Sequence, residues 1–266
     1  MPQSTNLNIL LSGCCKFYAA LTAKDVRSQE KSGNFLFKYR SYIPLVLYLF
    51  ATLAIWLDND EFIPYQEYWW SLICLGVSGL GMIIRAIAIG HTPRGTSGRN
   101  TEKQIADHIN TTGLYSLVRH PLYLGNFLMW LGLIIYIGSW EFLIFSVFFF
   151  WIYYERIMFA EEQFIGNKFG QEFEDWAAKT PAFIPKLNGY VKTGRNFNWR
   201  SVIRREYHGF FATILSFAII NCLKHLFYTN ELMLDIEWMI GLGVGLFIYL
   251  TIRFVVKCTK WLEVKH

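Results

Sequence analysis

The chain has 266 residues, 53% of them apolar and 18% aromatic, with a formal net charge of +5. The apolar residues are gathered into long charge-poor runs, which excludes a soluble globular domain. The basic residues are shared among several loops, which excludes a nucleic-acid-binding face and points to membrane topology and anionic lipid.

Residues 1–41 read as a lead-in, with an interfacial helix over residues 7–21 that carries Phe17 and Tyr18 at headgroup level. Leu11-Ser12-Gly13-Cys14 has the form of a lipoprotein cleavage box, but no Lys or Arg precedes it and the apolar run is too short for a signal peptide. The first span is expected over 42–57, slightly short of the ~17-residue minimum and extended by the Lys38–Arg40 flank. A second span, 69–90, follows an acidic loop. A polar loop then opens with His91-Thr92-Pro93-Arg94-Gly95-Thr96-Ser97-Gly98-Arg99 and runs to His120. Its serine, threonine, arginine and glycine content suits a phosphate cradle or a plain polar connector.

Spans 121–137 and 140–158 are joined by little more than Gly138-Ser139. So short a link makes the two helices antiparallel and returns Glu161 and Glu162 to the end where Arg119 and His120 lie. Residues 159–178 continue as a helix with one aromatic and one charged face, ended by Pro181 and Pro185. A basic stretch leads to two further spans, 209–228 and 237–256. Gly241, Gly243 and Gly245 in the last offer close helix contact. The expected fold is therefore all-α: a single polytopic membrane domain, residues 1–266, with about six transmembrane helices.

Loops 58–68, 138–139 and 229–236 contain Asp58, Asp60, Glu61, Glu67, Glu231 and Asp235 but no Lys or Arg. The positive-inside rule then puts both termini in the cytoplasm, of a bacterial inner membrane or another internal membrane. Cys14, Cys15, Cys74, Cys222 and Cys258 make no metal or redox spacing.

Two segments hold residues suited to chemistry. Arg119, His120 and Pro121 open the 121–137 helix, whose N-terminus favours an anion. Pro121 loses no backbone donor there, and Gly125 permits close backbone approach. Arg156, Glu161 and Glu162 leave the next span; the carboxylate pair suits an amino group or a sulfonium charge. An anchoring belt of Arg, His and Tyr accounts for one or two of these residues but not for the ordered string. Arg85, Arg119 and Arg156 stand near span ends and could hold an oxyanion bidentately, with snorkelling the plainer reading for Arg85.

The pattern Gly113-x-Tyr115-x-x-x-Arg119-His120-Pro121-x-Tyr123-x-Gly125, followed by Arg156-x-x-x-x-Glu161-Glu162 and Phe169-Gly170, resembles the isoprenylcysteine carboxyl methyltransferase family. It is also similar to membrane phospholipid N-methyltransferases. The resemblance covers roughly residues 76–185. It implies a methyltransferase using S-adenosylmethionine, with a cofactor pocket open to the cytoplasm and an amphiphilic acceptor entering from the bilayer. Gly113, Tyr115, Leu117, Val118, His120, Pro121, Tyr123, Gly125, Glu161 and Glu162 would form the cofactor site. Arg156, Arg119 and Tyr123 would serve the reaction, with no metal. An anionic oxygen acceptor, a prenylcysteine carboxylate or lipid phosphate, needs no general base. Amine methylation of a phospholipid is the alternative enzyme reading, and a reductase-like relative binding a nicotinamide cofactor a further one. A transporter or scaffold is the non-enzymatic reading, disfavoured because the polar groups gather at one face.

Overall fold

The structure is a computed structural model describing residues 23–57, 64–92, 106–259 and 261–262. Among these residues it is helical, without strands. Eight α-helices follow in order: α1 (Ala23–Lys38), α2 (Leu47–Leu57), α3 (Pro64–His91), α4 (Pro121–Ile137), α5 (Trp140–Phe169), α6 (Gln171–Ala177), α7 (Trp199–Thr229) and α8 (Ile236–Cys258). The expected helix over 7–21 and the Arg94–Arg99 loop lie outside the described residues.

The protein is a polytopic membrane protein. The apolar segments of α3, α5, α7 and α8 are long enough to cross a bilayer. Two expected spans differ from straight crossings. Helix α2 has 11 residues, about 16 Å, against a hydrocarbon core of ~30 Å. It follows a 3-10 turn (Ile43–Val46), and this segment meets α1 at 76°, so residues 39–42 bend the chain and the apolar length needed for a crossing is reached only by α1 and α2 together, as a bent pair. Helix α4, with 17 residues, sits at the minimum for a crossing.

The close partner of α4 is α3, with which it runs antiparallel. The reason is a seam of small residues. A Cβ on Gly81 would lie 2.4 Å from the Gly125 carbonyl oxygen, and one on Gly132 would lie 2.3 Å from the Cys74 carbonyl oxygen. Ser78, fully buried, donates to the Met129 carbonyl across the same seam at 2.8 Å. Backbones this close gain dispersion contact that larger residues would block. The expected glycine packing in α8 is slighter. Gly245 meets Ile214 of α7, whereas Gly243 faces open space.

Helix α5 is continuous for 30 residues, about 45 Å, and so carries Glu161 and Glu162 beyond its apolar part. Gly170, with φ of +54°, breaks it before α6; Pro181 and Pro185 lie after α6. At the Gly138 end the helices are tied by a polar knot. Asn221 donates to Asp235 at 2.7 Å and to the Tyr136 hydroxyl at 3.3 Å, and His225 pairs with Asp235 at 3.0 Å. Helix α8 packs mainly on α7 and leaves Ile240, Phe247 and Phe254 exposed, a face suited to lipid.

Candidate functional site

The segment before α4 is fixed by a second strand of chain, residues 180–191. Gly113, at φ +65°, donates its N–H to the Val191 carbonyl at 2.8 Å. The Ser116 hydroxyl accepts from the Val191 N–H at 2.9 Å. Lys186 N–H donates to Leu117 at 3.1 Å, Arg119 N–H to Pro181 at 2.9 Å, and His120 N–H to Ala182 at 3.2 Å. The Trp176 indole donates to the Tyr115 carbonyl at 3.1 Å. The ladder satisfies polar backbone that would otherwise be stranded, and it aims Arg119 and His120 at the end of α5.

There the two halves of the sequence pattern meet. Arg119 Nε and Nη2 donate to the two oxygens of Glu162 at 2.8 and 3.1 Å. Its Nη1 donates to the carbonyls of Ala177 at 2.8 Å and Thr180 at 2.7 Å. His120 Nε2 lies 2.8 Å from Glu162 Oε1, and its Nδ1 lies 3.5 Å from Glu161 Oε2. The Tyr123 hydroxyl faces Glu161, and its ring lies 5.7 Å from that of His120. Burial disfavours the imidazolium, but the two carboxylates outweigh burial and push His120 up from 6.5 to about 9. The histidine is thus a cation at neutral pH, and two positive groups balance two negative ones. The anions that come to the start of α4 are the protein's own carboxylates. Burial also pushes the Tyr115 phenol up to about 12, so it stays protonated.

The site residues expected from sequence take distinct places. Arg119, His120, Tyr123, Glu161 and Glu162 form one cluster. Leu117 and Val118 direct their N–H groups to the Leu114 carbonyl, so what they offer a ligand is side chain and carbonyl. Pro121 begins α4 and is buried. Gly125 faces α3: a Cβ there would lie 2.5 Å from Arg85 Cγ. Arg119 spends four of its five N–H groups on protein acceptors. It therefore has no free fork for a substrate oxygen. Arg156, about one third exposed, pairs with Glu155 at 3.5 Å on its own helix and stands outside the cluster.

Arg85 is not a snorkelling residue. It makes a bidentate pair with Glu206 of α7, both contacts at 2.7 Å, and donates to Asn126 of α4 at 2.6 Å. Three helices are tied by one guanidinium. Glu206 was open to notice as the sole carboxylate in residues 186–208. The 180–191 ladder gave no comparable signal. Among the described residues no His, Cys, Asp and Glu group could hold a metal ion.

A family model described as phospholipid methyltransferase matches residues 68–172, which contain the whole cluster. The chain is 30% identical over 144 residues to a probable protein-S-isoprenylcysteine O-methyltransferase of Oryza sativa subsp. indica, covering 51% of this chain and 72% of that protein. The chain belongs to the isoprenylcysteine carboxyl methyltransferase family. A second member, the protein-S-isoprenylcysteine O-methyltransferase of Schizosaccharomyces pombe, is 30% identical over 133 residues, covering 49% of this chain and 54% of its own. The nickel-cobalt-cadmium resistance protein NccN of Alcaligenes xylosoxydans xylosoxydans is 28% identical over 155 residues, covering 58% of this chain and 68% of that protein. No solved structure matches. Within this family member the ladder at 180–191 and Glu206 lie beyond the segment matched by the family model.

Proposed function

We propose that this protein is a membrane methyltransferase that uses S-adenosylmethionine to methylate an anionic oxygen of a membrane amphiphile, a prenylcysteine carboxylate or a lipid phosphate. The observation that carries the reading is the Arg119–Glu162–His120–Glu161 cluster at the ends of two membrane helices, inside the family-matched segment.

The cluster fits the methionine end of such a donor. Glu162 already has its charge met by Arg119 and His120. Glu161, about one quarter exposed, keeps acceptor capacity for an α-amino group. His120, Tyr123 and the Leu117–Val118 backbone would line the same site. When bound, S-adenosylmethionine supplies an electrophilic methyl on a sulfonium. The chain's own part is then to orient, to exclude water and to hold charge. Arg119 serves as a positioning residue, since it fixes Glu162 and the turn after α6.

The protonation state of His120 favours an oxygen acceptor. An amine nucleophile must shed a proton, and an imidazole with a pKa of about 9 is already protonated at neutral pH. A carboxylate or phosphate brings a free electron pair. The lack of Lys and Arg in loops 58–68, 138–139 and 229–236 supports a cytoplasmic site and cytoplasmic termini, with acceptor and lipids drawn from an internal or bacterial inner membrane.

Calorimetry on the detergent-purified protein tests the donor site. Glu161→Gln should weaken S-adenosylmethionine binding at least tenfold while the protein remains folded. Unchanged affinity would remove Glu161 from the site.

A further inference from the structure

The stretch between the 180–191 ladder and α7 takes no part in the cluster, yet it is pinned at both ends. Val191 is tied to Gly113 and Ser116. At the other end the Asn198 N–H donates to the Gly90 carbonyl at 2.8 Å. Phe197 lays its ring where a side chain on Gly90 would be, with its centroid 5.3 Å from that of His91. Asn198 also caps α7, its side chain accepting from the Ser201 N–H at 3.0 Å. Between these ties the Arg195 N–H meets the Thr193 hydroxyl at 3.3 Å, and Lys192 and Arg195 are exposed.

The ties set this stretch at one surface of the bilayer. Helices α3, α7 and α8, whose apolar segments are long enough to cross, each have an end here. Helix α3 ends at His91, beside Phe197. Helix α8 ends at Cys258, and Trp261 beyond it meets Trp199, the first residue of α7, edge to face at 5.4 Å. Both indoles are exposed, at 42% for Trp199 and 58% for Trp261, while Leu262 beside them is buried. Exposed indoles at span ends belong to the headgroup level. Helix α7 has 31 residues, about 46 Å, against a hydrocarbon core of ~30 Å. Its charge-poor run starts at Gly209, so the first turns, with Arg200 and Arg204, stand in the headgroup layer. Both arginines are exposed and four residues apart on one face, and the Arg200 guanidinium lies 5.5 Å from the Trp199 ring centroid.

This stretch cannot neutralise its own charge. Residues 186–208 hold Lys186, Lys192, Arg195, Arg200, Arg204 and Arg205 against a single carboxylate, Glu206. Both oxygens of Glu206 are taken by Arg85. Like charges at 200 and 204 repel, and cations in the first turns of a helix run against its dipole, so helix stability does not account for them. A soluble polyanion would meet the cations but leave the indoles in water. An anionic lipid meets both, with its phosphate among the cations and its glycerol and upper chains against the rings.

We propose that Lys192, Arg195, Arg200 and Arg204, with Trp199 and Trp261, form a binding site for an anionic glycerophospholipid at the membrane surface shared by α3, α7 and α8. The site lies beyond the segment matched by the family model and does not depend on the methyl-transfer reading.

Lipid binding to the intact detergent-purified protein, read by native mass spectrometry, tests this. The probes are phosphatidylglycerol, phosphatidylcholine and glycerol 3-phosphate. Wild type should hold phosphatidylglycerol at least tenfold more tightly than phosphatidylcholine, and added salt should narrow the difference. A cation close to an anionic surface contributes about fivefold. Lys192→Gln, Arg195→Gln and Arg200→Gln combined should therefore abolish the preference, with melting temperature in lipid-free detergent and S-adenosylmethionine affinity unchanged. Should the combined variant misfold, Arg195→Gln alone is read, with about fivefold of the preference lost. Arg27→Gln with Lys31→Gln, which removes two exposed cations of α1, should keep the preference. No preference in wild type, a preference retained in the combined variant, or an equal loss in the α1 variant would overturn the proposal. Glycerol 3-phosphate displacing phosphatidylglycerol at equal concentration would assign the cations to a soluble phosphate and overturn the lipid site.

Discussion

Replacing Arg119 by Gln separates a positioning arginine from one that touches substrate. The guanidinium and its partner Glu162 are 9% and 22% exposed, so the pair is largely out of water. Removing one partner of a buried pair costs about 3–5 kcal/mol, because the other charge is left behind. Glu162 keeps His120, which argues for the lower end of that range. The carbonyls of Ala177 and Thr180 also lose their donor, at about 1 kcal/mol each, and the Gln amide can replace part of this. The net expectation is about 4 kcal/mol. For a chain of this size that is a fall of roughly 8–16 °C in melting temperature. Thermal unfolding in detergent and S-adenosylmethionine titration should show stability and cofactor affinity falling together. An unchanged melting temperature, or lost turnover with stability and affinity intact, would refute the positioning role.

Three further outcomes follow from the same contacts. Gly81→Ala puts a methyl 2.4 Å from the Gly125 carbonyl oxygen and should destabilise the α3–α4 pair by about 1–3 kcal/mol, read as a lower melting temperature. Glu206→Ala leaves Arg85 buried without its carboxylate and should cost about 3–5 kcal/mol, whereas Arg85→Met with Glu206→Leu should recover much of the loss; thermal unfolding of the single and double variants checks it. His120 has a folded pKa of about 9, raised above 6.5, so its contribution is complete below about pH 6.5 and fades as pH rises through 9. Melting temperature should therefore decline between pH 7 and pH 10, and less steeply in His120→Gln.

Much of the site was legible because its signals are local. Pro121 before an apolar run marks a helix start, and the two-residue 138–139 link returns α5 to the same end, so the meeting of Arg119 and His120 with Glu161 and Glu162 follows from chain geometry. What was not legible depends on partners distant in sequence. The type of residue at 119 suggests an oxyanion holder, and only the carbonyls of Ala177 and Thr180 reveal that its donors are taken. Gly125 reads as an approach point for a ligand, yet its neighbour is Arg85 of α3. The bend after Lys38 carries no glycine, and the residues that make it resemble an ordinary basic flank. Arg85 reads as a snorkelling cation until Glu206, 121 positions later, is found against it.

The central claim is methyl transfer from S-adenosylmethionine to an oxyanion under the control of this cluster. The most direct measurement incubates purified protein with methyl-labelled S-adenosylmethionine, N-acetyl-S-farnesylcysteine, farnesyl phosphate and a membrane lipid extract. Mass spectrometry then locates the label. The account predicts label on a carboxylate or phosphate oxygen in wild type, and little or none in Glu161→Gln. Label on nitrogen, or equal labelling by the two proteins, would contradict it.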